Sequence, residues 1–212
     1  HREVESNRHL VKLIKSRRDL EELDRDRRLG VLLTVEGGEA LEGELHTLAI
    51  LHRLGVRSLG LTWNDPNALG DGVGVGEGHR GLTEFGKDVI REMNRLGMLV
   101  DLAHLAEKGF WEAVETSESP VVVSHANCRK LCHHVRNLTD EQLRAVAAKG
   151  GCVGITFVPE FIDRDHATVD RVLDHVEHAV AVMGVDHVGF GSDFDGMEKR
   201  LPGLDTALAL PR

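Results

Sequence analysis

The stretch NRLGMLVDLAH, Asn94 to His104, decides the fold. It follows a stripe of Phe85, Val89, Met93 and Leu96, whose spacings of four and three are those of one helix face. Gly97 then stands where a residue just past a helix takes the left-handed conformation and turns the chain. Met98 to Ala103 form a short apolar run, the pattern of a parallel strand buried on both faces. Two polar residues interrupt it, Asp101 within the run and His104 at its end. One such histidine alone reads better as a satisfied core residue than as a ligand. The rest of the chain has to decide.

Working outward, the same unit recurs. RRLGVLLTVEG carries Gly30, HRLGVRSLGLTW carries Gly55, AAKGGCVGITFV carries Gly150 and Gly151, and AVMGVDHVGFGSDF carries Gly184. PVVVSH is a further run, introduced by Pro120 instead. Helical segments lie between the runs. Leu41, Leu45, Leu48 and Ile50 to Leu54 make one stripe, and Val169, Leu173, Val176, Val180 and Met183 another. TDEQL opens with Thr139 and has Gln142 three residues on, a capping-box pattern. Six alternations of strand and helix predict a parallel sheet with helices outside it.

A doubly wound sheet and a (β/α)8 barrel both fit that alternation. A doubly wound sheet gathers its site at one switch point, whereas a barrel draws on the C-terminal ends of many strands. Here the runs end in Glu36, in Trp63 and Asn64, in His104, in His125, and in Asp193 and Asp195. No G-x-G-x-x-G follows a strand, and GVGVGEG (72–78) sits in a loop. The expected fold is therefore α/β, a TIM-type barrel of the metal-dependent hydrolase kind with six of eight strands recognisable. The expected layout is a single incomplete barrel domain over 1–212, with a charged helical segment at 1–29 and a barrel core at 30–196.

Composition narrows the function. The 212 residues are 41% hydrophobic, enough for a sizeable core, and a net charge of −9 argues against nucleic acid. Three cysteines, Cys128, Cys132 and Cys152, do not make a disulfide framework. No apolar run approaches the roughly 20 residues of a membrane span. The first 20 residues lack the apolar core of a signal peptide. A cytoplasmic protein is expected, and because the chain does not begin with Met, a processed or truncated one.

Glu36, His104, His125 and Asp193 would converge at the top of a barrel. Two neutral imidazoles and a carboxylate suit zinc or a similar divalent ion, and a carboxylate can bridge two ions through its two oxygens. A further Asp beside an activated water can act as base. Cys128, Cys132, His133 and His134 lack a second cysteine pair and are expected to be structural. His175 and His178 fall on a helix and are expected to be solvated or to pack it.

LTVEGGEAL, LGLTWNDPNALGDGV, GLTEFGKDVIREMNRLGMLVDLAH, PVVVSHAN, VRNLTDEQL and HVGFGSDFDG occur in the order found in the membrane (renal) dipeptidase family. The chain resembles that family, a bacterial-type member, from about Gly30 to Gly196. The resemblance implies a zinc dipeptidase of the amidohydrolase-like barrel group that tolerates a D-residue on the C-terminal side of the bond. It implies that Glu36 bridges two zinc ions and that His104 and His125 complete the second site. It further implies that Arg136 holds the substrate carboxylate and that Asp193 manages the proton of the attacking water and the leaving amine. Trp63 and Asn64 are expected at the substrate.

Two departures stand out. Mammalian members carry a histidine, thought to help polarise the substrate, where this chain has Trp63. The family's first strand carries an H-x-D pair for the other zinc, and H-x-D occurs nowhere in this sequence. The chain is expected to begin beyond that strand and to stop before the family's C-terminal segment, holding one zinc where the family holds two. The expected partner is a small peptide, without nucleic acid or a membrane segment, and a homodimer stays open. Two other readings remain: a degenerate barrel that binds a peptide or protein, and a single-metal amidohydrolase acting on another amide or lactone.

Overall fold

The computed structural model of the protein describes residues 1–23 and 25–210. In chain order the elements are α1 (Arg2–Ser6), β1 (Val11–Leu13), α2 (Arg17–Leu23), β2 (Leu29–Val31), β3 (Leu33–Val35), α3 (His46–Leu54), β4 (Val56–Gly60), α4 (Glu84–Leu96), β5 (Leu99–Asp101), α5 (Glu107–Thr116), β6 (Val121–Val123), α6 (Asp140–Ala148), β7 (Cys152–Ile155), α7 (Pro159–Ile162), α8 (Val169–Met183) and β8 (Val188–Phe190). Strands β3 to β8 form one six-stranded sheet in sequential order, every neighbouring pair parallel. Sequential parallel order with helical crossovers is the winding of a (β/α)8 barrel, and the six strands are its recognisable part. Among the described residues no ladder joins β8 back to β3.

The helix–glycine–strand unit has the predicted physical basis. Gly55 and Gly97 take φ of 101° and 70° at the ends of α3 and α4. Gly30 differs. It lies inside β2, paired with Lys12 of β1 in a separate two-stranded parallel sheet, because α2 has already ended at Leu23. Segment 1–29 is thus only partly helical, and its VKL run forms a strand. That strand seats its neighbour Ile14, 2% exposed, in the interior, and Arg57 Nε donates to Lys15 O at 2.7 Å.

Inside the sheet lie Leu59, Val100, Val121, Val123, Val153 and Ile155, all essentially without exposure. Outside it, α4 buries Val89, Ile90 and Met93. Thr139 and Gln142 form the predicted capping box on α6. Helix α8 is rotated relative to its predicted stripe: Val172, His175, Ala179 and Met183 are buried, and Leu173 is half exposed. His175 is therefore a core residue. Its ring bonds the Ile162 carbonyl at 3.0 Å, and its Nδ1 accepts from Cys128 N–H at 3.1 Å, an arrangement that satisfies both nitrogens. No described helix is long and apolar enough to cross a membrane.

Candidate metal and active site

Every parallel strand points its C-terminal end the same way, so residues just beyond those ends meet on one face. Glu36 follows β3, Trp63 and Asn64 follow β4, His104 follows β5, His125 follows β6 and Asp193 follows β8. All six line one cavity of about 640 Å³, together with Arg136.

At its centre, His104 Nε2 and His125 Nε2 stand 2.9 Å apart. Glu36 Oε1 is 3.1 Å from the first and 3.4 Å from the second. These three are the one group of His, Cys, Asp or Glu ligands found close enough to hold an ion among the described residues. The N-terminal His1, Glu3 and His9 do not join it; His1 bonds the carbonyl of Leu54.

Polar neighbours set which way each imidazole donates. His104 Nδ1 lies 2.8 Å from Asn64 Oδ1, an atom that only accepts, so Nδ1 carries the hydrogen and Nε2 presents its lone pair inward. His125 Nδ1 is held by Ser124 Oγ at 2.8 Å. Burial pushes both imidazoles below the ordinary histidine range, His125 to about 3, with the Arg136 charge adding to the effect. Glu36 pulls the other way but is outweighed, so its contacts are to neutral rings. With Ser124 accepting from Nδ1, two neutral rings would face each other with lone pairs 2.9 Å apart and a carboxylate oxygen beside them. That arrangement repels itself and suits a divalent cation. Two imidazoles and one carboxylate are a catalytic zinc donor set that leaves a coordination position open.

Arg136 is buried, 6% exposed, on the loop between β6 and α6. Asn137 pins that loop by accepting from Asn127 N–H and donating to the carbonyls of Cys132 and Phe161. Arg136 Nη2 donates to His125 O at 3.2 Å, the guanidinium sits 5.6 Å from the Phe161 ring centre, and Nε has no hydrogen-bond partner. Burial lowers its pKa to about 10, which leaves it charged at neutral pH. A buried, incompletely paired cation on the wall of a cavity has the chemistry to pair with an anion there.

Asp193 is half buried and has its pKa raised, first by burial and then by the Glu36 charge. It adopts φ of 62° and His104 φ of 66°. Among the described residues only Glu42 shares this left-handed conformation without being glycine. Two strained residues in one cavity accord with strain held where function needs an aimed side chain. Trp63 is half exposed, with its ring centre 5.9 Å from that of His104. Its indole can cover the histidine and donate one hydrogen bond, but it has no acidic proton to offer. Asn64 lines the cavity with its side-chain oxygen bonded to His104.

Sequence reasoning missed part of the wall. His134, set aside with its neighbours as structural, lines the cavity and stacks on Phe161 at 4.4 Å, and Val135 and Val158 complete the side. Cys128 and Cys132 are buried with raised thiol pKa values, away from the ligands. A signal for His134 was available in its two-residue spacing from Arg136. His178 packs its helix against α6 through Asp140 at 2.7 Å, as expected.

A family model, Membrane dipeptidase (Peptidase family M19), matches residues 1–212. The chain is 37% identical over 213 residues to an uncharacterized protein in the pqqA 5′ region of Klebsiella pneumoniae, covering 95% of this chain and 78% of that one. It is 39% identical over 197 residues to dipeptidase tcpJ of Claviceps purpurea, covering 91% of this chain and 46% of that one. A solved metallo peptidase from Rhodobacter sphaeroides, liganded with a phosphinate mimic of the dipeptide L-Ala-D-Ala, superposes with a TM-score of 0.88 at 35% identity. That match takes in 95% of this chain and 60% of the other. The chain thus spans about half the length of the fungal dipeptidase it matches. Motif order, strand-end site and whole-chain match agree, and the chain belongs to the membrane dipeptidase family, peptidase family M19.

Proposed function

We propose that this chain carries one metal site and the carboxylate receptor of a zinc dipeptidase that hydrolyses the single peptide bond of a dipeptide, including one with a C-terminal D-residue. The observation that carries this reading is the pairing, in one cavity, of the Glu36–His104–His125 donors with a buried, incompletely bonded Arg136. A dipeptide presents a free carboxylate one residue from its only peptide bond. A fixed cation therefore measures where the bond lies and rejects longer chains.

Zinc bound there would supply a Lewis acid for the carbonyl and would lower the pKa of the attacking water. Glu36, His104 and His125 are the residues that would hold it, with Asn64 and Ser124 keeping the imidazoles aimed. Arg136 anchors the substrate carboxylate through a charge-assisted pair. Asp193 takes the proton of the attacking water and returns it to the leaving amine; its raised pKa suits a carboxyl that must hold a proton within the cycle. Trp63, with Val135, Val158 and Phe161, gives the substrate side chains an apolar wall. The resemblance to the L-Ala-D-Ala mimic complex of the Rhodobacter relative supports tolerance of a D-residue.

A second reading has one observation in its favour. Only one three-ligand group occurs among the described residues, which fits a single-metal amidohydrolase on another amide or lactone. Reconstituting the protein with zinc and assaying L,L dipeptides, L,D dipeptides, their amides and a lactone panel separates the two. Hydrolysis of free dipeptides with amides poor is expected. Turnover of amides or lactones at equal rates sinks the dipeptidase reading.

A further inference from the structure

The mechanism above does not use Asp101, although this buried carboxylate lies between the two histidine-bearing strand ends. Asp101 is the last residue of β5 and is 9% exposed. It pairs across the sheet with Val122 of β6. One of its oxygens, Oδ1, accepts from Ala103 N–H at 3.0 Å and from Ser124 N–H at 2.9 Å. Ala103 immediately precedes His104, and Ser124 immediately precedes His125. Both N–H groups sit where the chain leaves its strand, so a side-chain acceptor takes up the donors.

We propose that Asp101 is a positioning residue that fixes the separation of His104 and His125, and so sets the metal affinity of the site. The two histidines belong to different strands, and their Nε2 atoms stand 2.9 Å apart, so both can face one ion only if the two strand ends keep their spacing. His104 also holds φ of 66°, a conformation that relaxes unless its neighbours constrain it. A single oxygen bonded to the residue before each histidine ties both backbones to one point. Neither strand end can drift without breaking a charge-assisted hydrogen bond. The second carboxylate oxygen makes no hydrogen bond to the described residues, so an amide can replace the carboxylate and keep both bonds through its own oxygen.

The test rests on the reading that Glu36, His104 and His125 hold a metal. Asp101→Asn, Asp101→Glu and Asp101→Ala are made in the full chain. Zinc affinity is measured by competition with a chromophoric chelator, and thermal melting is followed on chelator-stripped protein. Asp101→Asn is expected to bind zinc within about threefold of the parent. Asp101→Glu keeps the charge but displaces the oxygen, and Asp101→Ala removes it; both are expected to weaken zinc by about 10- to 100-fold, the usual scale for a partner that orients ligands. A role confined to stability would lower melting and leave the affinity of the folded protein unchanged. Should Asp101→Ala fail to fold, Asp101→Glu decides. Zinc affinity within threefold of the parent in the folded Ala or Glu variant overturns the proposal, as does an Asn variant as weak as the others. A parent chain that binds no zinc overturns the metal reading itself.

Discussion

Replacing Arg136 by methionine separates recognition from stability. The guanidinium makes one side-chain hydrogen bond, to His125 O, and lies over the Phe161 ring. Losing them costs about 1 kcal/mol for the bond and about 0.5–1 kcal/mol for the cation–π contact. Against that, the variant no longer buries an unsatisfied Nε, a burden of about 1–3 kcal/mol. The terms nearly cancel, and methionine fills irregular space readily. The stripped protein should melt within about 4 °C of the parent, since 1 kcal/mol is worth about 2–4 °C at this size. Substrate recognition should suffer far more. A hydrogen bond to a charged partner is worth about 1.5–3 kcal/mol, which is about 10- to 150-fold in kcat/KM. The assay compares a dipeptide with its C-terminal amide, for both proteins, after zinc loading. The parent should favour the acid by that factor, and Arg136→Met should not distinguish the two. A variant that keeps the acid preference, or one that melts about 10 °C lower with unchanged kinetics, makes Arg136 a structural residue and refutes the reasoning.

Other outcomes follow from the same geometry. His104→Ala and His125→Ala should each abolish stoichiometric zinc binding while circular dichroism stays that of the parent; loss of helix content with zinc retained would restore the core-histidine interpretation. Asp193→Asn should cut turnover by about 100- to 10,000-fold at unchanged zinc content, and an active variant or one stripped of zinc ends its assignment as proton carrier. Gly191→Ala would place a Cβ 1.9 Å from the Ser124 carbonyl, so it should push His125 off its position; a variant with parental melting and zinc affinity contradicts that close approach. Asp71, 2% exposed, accepts from Arg80 N–H at 2.6 Å and from its Nη2 at 2.7 Å, and Arg80 holds its carboxyl below the usual range. A depressed carboxyl stabilises above its unfolded pKa of about 4 and loses that contribution as pH falls through the lowered value. In urea unfolding, Asp71→Asn should lie about 1–3 kcal/mol below the parent at neutral pH, with the gap closing in acid; a gap constant with pH means the charge is not responsible.

How much was legible depended on how local the cause was. Gly55 and Gly97 announce their helix ends because the left-handed turn needs only the residue itself and its predecessors. The run MLVDLA reads as a buried parallel strand for the same reason. Glu36, His104 and His125 were readable as one site because parallel strands send all their C-terminal ends to one face. Gly30 was misread because its conformation is set by β1, a partner some twenty residues earlier that propensity does not reveal. His175 and Leu173 exchanged places because a rotation of α8 by a fraction of a turn depends on what it packs against. His134 and the Phe161 wall were hidden for a related reason. The loop that presents them is shaped by Asn127 and Asn137, whose side chains stand in for a backbone ladder. No period marks such a loop.

The left-handed conformations of His104 and Asp193 bear on how this protein can be altered. An L-residue with a Cβ holds such a position at a cost of roughly 1–2 kcal/mol, which glycine escapes. Selection on melting temperature alone would be drawn toward glycine most strongly at the half-buried 193, whereas at 104 the relief is set against the burial and the Asn64 hydrogen bond of the imidazole. Each such exchange would delete a side chain proposed as a metal ligand or as the proton carrier. Along these two positions, the nearest sturdier sequences are inert ones, and a thermostabilisation campaign has to hold both fixed and look for its gains elsewhere in the fold.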